Sequence, residues 1–424
     1  MLTRILHNSP QLCTFVDQLG LQLSAPQRRH VINVADGLLV SDGHKTLAEL
    51  QRQFVRCTDP SNIADSFRIA PWTAQDIRKS LQAMLMQTAL QHLEGSGCAR
   101  QLLINVDDSL AIKDPHTCCL EGVDWHYDHA AKGRRRQRLQ NALAYLSCHI
   151  VAGDCDFTFA VLPYLRAQTV RRINRNRPPD QRLHFTCKYH LVRRILEECR
   201  QLIPKGVAVY VHTDAWYASA RLFKYIRRQG WHLTARLRAN RKLSGIPIKQ
   251  RDWTQQHQRY VRVHISAADG SKTTYLVRQM VGRLHKVPFD VRGLVSRKHY
   301  RDRLPVYFAS TDLTRTPQQV LRAYATRWSC ELDNWYLKQR LGLGDFRLQS
   351  YEAIDKFCAV VHLSWAYIQW RLAQASDPGL QNPADVIRQH RDEHARDWLI
   401  GACQEVLASG SMDTMLQRFL PEAV

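Results

Sequence analysis

Two short apolar runs, each closed by an aspartate, constrain this chain more than any other feature. Leu102-Leu103-Ile104-Asn105-Val106 reads as a buried strand and runs into Asp107-Asp108-Ser109. Val207-Ala208-Val209-Tyr210-Val211-His212-Thr213 repeats the arrangement and ends at Asp214. A helix is predicted from about Tyr189 to Leu202, another from Ser219 to Gln229 closed by Gly230, and a further strand from Trp231 to Leu237. Strand, helix, strand in that order predicts parallel pairing and an α/β core. Carboxylates at the carboxyl ends of core strands sit at the rim of a cleft. The plainer reading is turn chemistry, since Asp and Ser are ordinary turn formers.

A third acidic residue stands in Tyr324-Ala325-Thr326-Arg327-Trp328-Ser329-Cys330-Glu331-Leu332-Asp333-Asn334-Trp335-Tyr336-Leu337-Lys338. Thr316-Pro317 reads as an N-cap with Pro at the first helical position, and nothing breaks the helix before Gly342. At roughly 100° per residue, Tyr324, Arg327, Glu331 and Lys338 fall within about 60° of one another. An exposed helix with Arg327 and Glu331 as an i,i+4 pair would explain the spacing. Trp328 and Trp335 share the face, however, and a stripe that is half apolar lies against something, for which a DNA-holding cleft is suitable.

The spacing Tyr, two residues, Arg, three residues, Glu, six residues, Lys resembles the YREK signature of DDE transposases from bacterial insertion sequences, in the insertion-sequence-four branch. Thr213-Asp214-Ala215-Trp216-Tyr217-Ala218-Ser219 is similar to that family's second-aspartate motif, and Leu237-Arg238-Ala239-Asn240-Arg241-Lys242-Leu243 follows it. The resemblance covers about residues 100 to 372. It implies an RNase H-like mixed sheet with flanking helices, a β insertion, two Mg²⁺ ions with Mn²⁺ as a substitute, and cut-and-paste transposition by a homodimer on paired element ends. Asp107, Asp214 and Glu331 would be the catalytic metal ligands, and Asp108 would replace Asp107 if the strand ran one residue further. Tyr324, Arg327 and Lys338 would contact the element ends, with Arg238, Arg241 and Lys242 as further DNA contacts. Relatives carry Lys-Lys-Gly after the first acidic pair, where this chain has Ile112-Lys113-Asp114-Pro115, so only Lys113 is left for that contact. Trp253 is the nearest candidate for an aromatic that stacks on a flipped base.

Charge agrees with a polyanionic partner. The chain has 424 residues, 60 Lys and Arg against 38 Asp and Glu, a net charge of +22, and 45% hydrophobic residues, enough for a core. No apolar run reaches the roughly 18 residues of a spanning helix, and Met1 to His7 is too short and mixed for a signal peptide. The expectation is a soluble bacterial cytoplasmic protein associated with the nucleoid, with no membrane partner. The 12 cysteines include no CxxC pair and read as reduced thiols.

The rest of the chain divides around this core. Residues 1–98 read as helical, from Pro26 to Leu39, after the capping box Thr46-Leu47-Ala48-Glu49, and from Ala74 to Leu93. This region is either a helix-turn-helix DNA reader or a helical cap. Gly95-Ser96-Gly97 reads as a linker. Leu139 to Ile150 and Phe157 to Leu162 read as strands around Gly153-Asp154, behind the dense charge of Arg134 to Arg138, and Arg166 to Arg177 reads as a basic loop. The core spans 99–237 and 314–374. Residues 238–313 form an all-β insertion with alternation in Tyr260–Ile265 and Thr274–Met280 around the turn Asp269-Gly270. Tyr351 to Leu372 is a long helix ended by Asp377-Pro378-Gly379, and 375–424 is a helical C-terminal region.

Three carboxylates in one place repel each other unless a cation neutralises them, which Mg²⁺ does through oxygen ligands. The leading expectation is therefore a transposase that hydrolyses a phosphodiester at the element end and joins the freed 3′-hydroxyl to target DNA. A metal-dependent nuclease without strand transfer and a non-catalytic, transposase-derived DNA-binding repressor are the competing readings.

Overall fold

The computed structural model describes residues 4–55, 60–95, 100–128, 138–254, 259–266, 272–302, 304–374 and 379–420. The expected linker residues Ser96 and Gly97, the basic run 134–137, the turn Asp269-Gly270 and the breaker Asp377-Pro378 lie outside them.

The chain begins with α1 (Pro10–Gln18), α2 (Ala25–Val40), α3 (Leu47–Gln51), α4 (Pro60–Arg68) and α5 (Ala74–Gly95). Ser24 and Gln27 close a capping box at α2, and Thr46 caps α3 by accepting from the Glu49 amide. Next come β1 (Gln101–Ile112), β2 (Asp124–Tyr127), β3 (Leu139–Ala152) and β4 (Cys155–Tyr164), with Gly153 at φ 62° in the turn between the last two. After α6 (Ala167–Asn174) and α7 (Lys188–Leu202), β5 (Ala208–Thr213), α8 (Ala220–Arg228) and β6 (His232–Leu237) complete the centre of the sheet. β1, β3 and β4 form an antiparallel meander, whereas β5 pairs parallel with β1 and β6 parallel with β5. The order β4-β3-β1-β5-β6, with β3 alone reversed, is the RNase H-like topology that the family resemblance implied, and the parallel β1-β5-β6 pairing is the one strand–helix–strand order predicted.

The expected basic loop at 166–177 is instead largely helical. Arg171 and Arg172 hide the apolar phase in the sequence, but Val170 and Ile173 of α6 are buried in a small cluster with Leu165.

Beyond β6 lie β7 (Lys242–Leu243), β8 (Ile246–Pro247), α9 (Ile248–Thr254), β9 (Val261–Ser266), β10 (Lys272–Arg283), β11 (Asp290–Arg297) and β12 (Val306–Ser310). β9 to β12 are antiparallel neighbours, and β12 docks antiparallel on β6. These strands therefore extend the main sheet, which has ten strands, instead of forming a sheet of their own.

The chain then returns through α10 (Pro317–Ala325) and α11 (Trp328–Trp335) to a π turn over Tyr336–Arg340, and ends in α12 (Tyr351–Gln374), α13 (Pro383–Ser409) and α14 (Met412–Phe419). The uninterrupted helix expected from Thr316 to Gly342 is corrected here. The Thr316 and Gln319 capping box and the Pro317 start are present, but the helix breaks at Thr326-Arg327. The amides of Thr326, Arg327, Ser329 and Cys330 each bond the carbonyl three residues back, which overwinds the joint. Thr326 also turns its hydroxyl onto the Ala323 carbonyl.

One hydrophobic core joins the N-terminal helices, the sheet and α12. Phe15 of α1 packs against Tyr367 and Trp370 of α12 at ring-centre distances of 5.6 and 5.3 Å. At the end of the chain, His390 and His394 of α13 place their Nε2 atoms 2.7 and 2.8 Å from the same Oδ1 of Asp36 on α2. Burial alone would raise the Asp36 pKa, but the two imidazole hydrogen bonds outweigh it and hold the group at about 2. No helix among the described residues is long and apolar enough to cross a membrane. Arg78 of α5 makes a two-pronged ion pair with Asp355 of α12 from a buried position. Removing one partner of such a pair strands the other, so Arg78→Ala is expected to lower unfolding stability by about 3–5 kcal/mol, read by urea denaturation.

Candidate active site

Strand alternation sorts the acidic pair at 107 and 108. Successive side chains of β1 point to opposite faces, so Asn105, Asp107 and Ser109 share one face and Asp108 takes the other. All three on the first face meet the broken helix. Asn105 Nδ2 donates to Thr326 Oγ1 at 3.2 Å, Arg327 Nη1 donates to Asp107 Oδ2 at 2.6 Å, and Lys338 Nζ donates to Ser109 Oγ at 3.0 Å.

Asp214 reaches the same place from the neighbouring strand. The parallel register sets Val106 against Thr213, so Asp107 follows on β1 and Asp214 is the first residue past the end of the neighbouring β5. Below them His212 Nδ1 lies 2.8 Å from Asn105 Oδ1. Glu331 joins through Arg327, whose Nη2 donates to Glu331 Oε1 at 3.2 Å while Nη1 holds Asp107. Tyr324 completes the row, its hydroxyl donating to the Thr213 carbonyl at 3.3 Å and its ring edge-on to His212 and Phe308. The structure thus brings Asp107, Asp214, Tyr324, Arg327, Glu331 and Lys338 together.

Electrostatics at this face are unbalanced. Burial raises the Asp107 carboxyl pKa above its ordinary value, opposed by the Arg327 charge and reinforced by Asp108. Burial likewise pushes the Tyr324 phenol up to about 12 and lowers the Lys338 ammonium, which Asp128 and Asp107 partly support. The donor set is all oxygen, which suits a hard divalent cation, and Arg327 stands between Asp107 and Glu331 where such a charge would neutralise them. Two clusters among the described residues bring three donor atoms within 4.8 Å of one another, and neither contains Asp107, Asp214 or Glu331.

The other expected residues are placed as follows. Asp108, on the opposite face of β1, pairs with Lys188 Nζ at 2.5 Å and accepts from Tyr217 Oη at 2.7 Å, apart from the row. Lys113 turns onto the Phe346 carbonyl and ring, and burial lowers its pKa to about 8. Arg238, Arg241 and Lys242 line a groove of about 420 Å³ with Tyr189, Trp216 and Ser219, next along the chain from Asp214. Arg238 lies over the Trp216 ring, and Arg241 Nε and Nη2 are buried there without hydrogen-bond partners. Trp328, at 70% exposure, and Trp335 flank Glu331 with open indole surface. The side chain of Trp253 lies outside the described residues. Asn105 and His212 were missed as site residues, although a polar residue inside each apolar run was the visible signal.

Comparison with known proteins follows this geometry. Residues 188–367 match the family described as a transposase DDE domain. The match takes in Asp214, Tyr324, Arg327, Glu331 and Lys338 and begins after Asp107. No curated protein matches the chain. Among solved structures, the cryo-EM structure of the piggyBac transposase synaptic complex with hairpin DNA is similar at 12% identity, covering 97% of this chain and 83% of that one, with a TM-score of 0.46.

The Asp108 arrangement makes a separable prediction. Lys188→Met leaves a part-buried carboxylate with only the Tyr217 hydroxyl and no cation, and is expected to lower unfolding stability by about 1–3 kcal/mol. Asp108→Asn combined with Lys188→Met should recover much of that loss, a coupling that a double-mutant cycle in urea measures.

Proposed function

We propose that the chain is a cut-and-paste DNA transposase of the insertion-sequence-four branch, with Asp107, Asp214 and Glu331 as its catalytic carboxylates. One observation carries this reading: the Asp107–Arg327–Glu331 ion-pair chain beside Asp214, formed by residues far apart in sequence. The transposase DDE domain match over 188–367 supports it.

Two Mg²⁺ ions, or Mn²⁺ in their place, held by the three carboxylates would supply charge stabilisation at the attacking and leaving oxygens of an in-line displacement. Water attacks the phosphorus at the element end, the P–O3′ bond breaks, and the departing 3′-oxygen takes up a proton. The freed 3′-hydroxyl then loses its proton and attacks a target phosphodiester, whose own P–O3′ bond breaks, and the departing target 3′-oxygen takes up a proton. Arg327 releases Asp107 and Glu331 and turns its guanidinium to a phosphate, while Tyr324 and Lys338 flank it at the element end. Arg238, Arg241 and Lys242 take further phosphates in the groove beside Asp214, with the charge of +22 drawing the duplex in. Asp108 and Lys113 have no part in this mechanism. The enzyme would work as a homodimer on paired inverted repeats, at the nucleoid of the bacterial cytoplasm.

The test uses duplexes carrying the inverted repeats that flank the coding region. Asp107→Asn and Glu331→Ala are each expected to lower cleavage at least about a thousandfold while end binding persists. Asp108→Asn should keep cleavage, and Arg327→Ala should weaken binding and reduce the salt slope by about one. Normal cleavage by Glu331→Ala would remove that residue from the site. Cleavage without joining of pre-cut ends would leave a nuclease, and binding without cleavage in either metal a non-catalytic protein.

A further inference from the structure

α11 carries Glu331 on one flank and Asp333 about 200° further round, turned into the protein. Asp333 Oδ2 accepts from Thr158 Oγ1 at 2.6 Å and Gln369 Nε2 at 3.1 Å, and lies 2.8 Å from His149 Nδ1. Asp156, two residues before Thr158 on β4, brings a second carboxylate to the same point. One donor atom from each of His149, Asp156 and Asp333 lies within 4.8 Å of the others.

Hydrogen bonding leaves this cluster incomplete. Asp156 Oδ1 is buried and has no hydrogen-bond partner, while the His149 ring, held at Nδ1 by Asp333, also faces the buried Cys330 thiol. A cavity of about 330 Å³, lined by Asp156, Ser329, Asp333 and Trp365, adjoins the cluster, and its rim includes the exposed Leu332 and Gln381. The site therefore has room for a water ligand and a path to solvent.

We propose that His149, Asp156 and Asp333 bind one divalent cation of the kind that accepts mixed imidazole and carboxylate ligands, with Zn²⁺ as the probe, at a site separate from Asp107, Asp214 and Glu331. Two carboxylates balance the +2 charge, and one nitrogen with two oxygens from the protein leaves a fourth position for water. The ion ties β3 and β4 to α11, and so fixes the helix on which Glu331 is mounted. These residues position; they do not touch the reacting phosphate.

The test is equilibrium dialysis of the full chain against Zn²⁺, with visible absorption of Co²⁺ as a second readout. It is run on the parent and on an Asp107→Asn, Glu331→Gln background that removes the other carboxylate site. The expected result is one equivalent, present in the parent and retained in the Asp107→Asn, Glu331→Gln background, that Asp156→Asn weakens at least tenfold, with a rise in melting temperature on binding. Asp156→Asn is nearly isosteric and removes a like charge, so the metal-free variant is expected to melt no lower than the parent. His149→Gln supplies a second, independent loss. Absence of stoichiometric binding, binding that survives both substitutions, or binding lost only in the Asp107→Asn, Glu331→Gln background would overturn the proposal.

Discussion

A single guanidinium holds the acidic face of this protein together. Arg327 grips Asp107 with one nitrogen and Glu331 with another, at 2.6 and 3.2 Å, while Asp214 stands beside Asp107 in the parallel register. Carboxylates gathered from neighbouring strands, Asp107 within β1 and Asp214 just past β5, repel each other, and a +1 charge from the joint between α10 and α11 is the internal remedy. The joint at Thr326-Arg327 and the π turn after α11 supply the contacts: Thr326, Arg327 and Lys338 reach Asn105, Asp107 and Ser109 in turn.

Much of this was legible in the sequence, and the gaps have physical causes. That strands lead to Asp107 and Asp214 was readable because a short apolar run has few other fates, and strand–helix–strand order implies parallel pairing. But β1 runs on past Asp107, where the apolar run predicted its end, to Ile112, because β3 pairs with it over that whole length. Which of Asp107 and Asp108 faces the helix was not readable, because the phase of a strand is set by what covers each face. The bend at Thr326-Arg327 escaped notice for a similar reason. Its residues are ordinary helix formers, and the Thr326 contact to Asn105 spans 221 positions of sequence. The alternation read in Tyr260–Ile265 and Thr274–Met280 falls on β9 and β10, yet that β12 would dock on β6 depends on a pairing no local pattern encodes. Arg171 and Arg172 concealed the amphipathic phase of α6.

The basic balance of the chain is also distributed with purpose. Arg238, Arg241 and Lys242 cluster beside the Asp214 end of β5, and Arg241 retains buried nitrogens without partners. On the far face of β1, by contrast, Lys188 is committed to Asp108. Cations near the acidic row thus fall into two groups: those already satisfied within the protein, and those whose hydrogen-bonding capacity is still open.

The contact of Asp36 with His390 and His394 has a consequence for cooperativity. The carboxylate on α2 is held by the nearby Ser9 amide on one oxygen and by two imidazoles more than 350 positions away on the other. Detaching α13 would therefore strand a buried charge on α2, so the two ends of the described fold are coupled through one side chain.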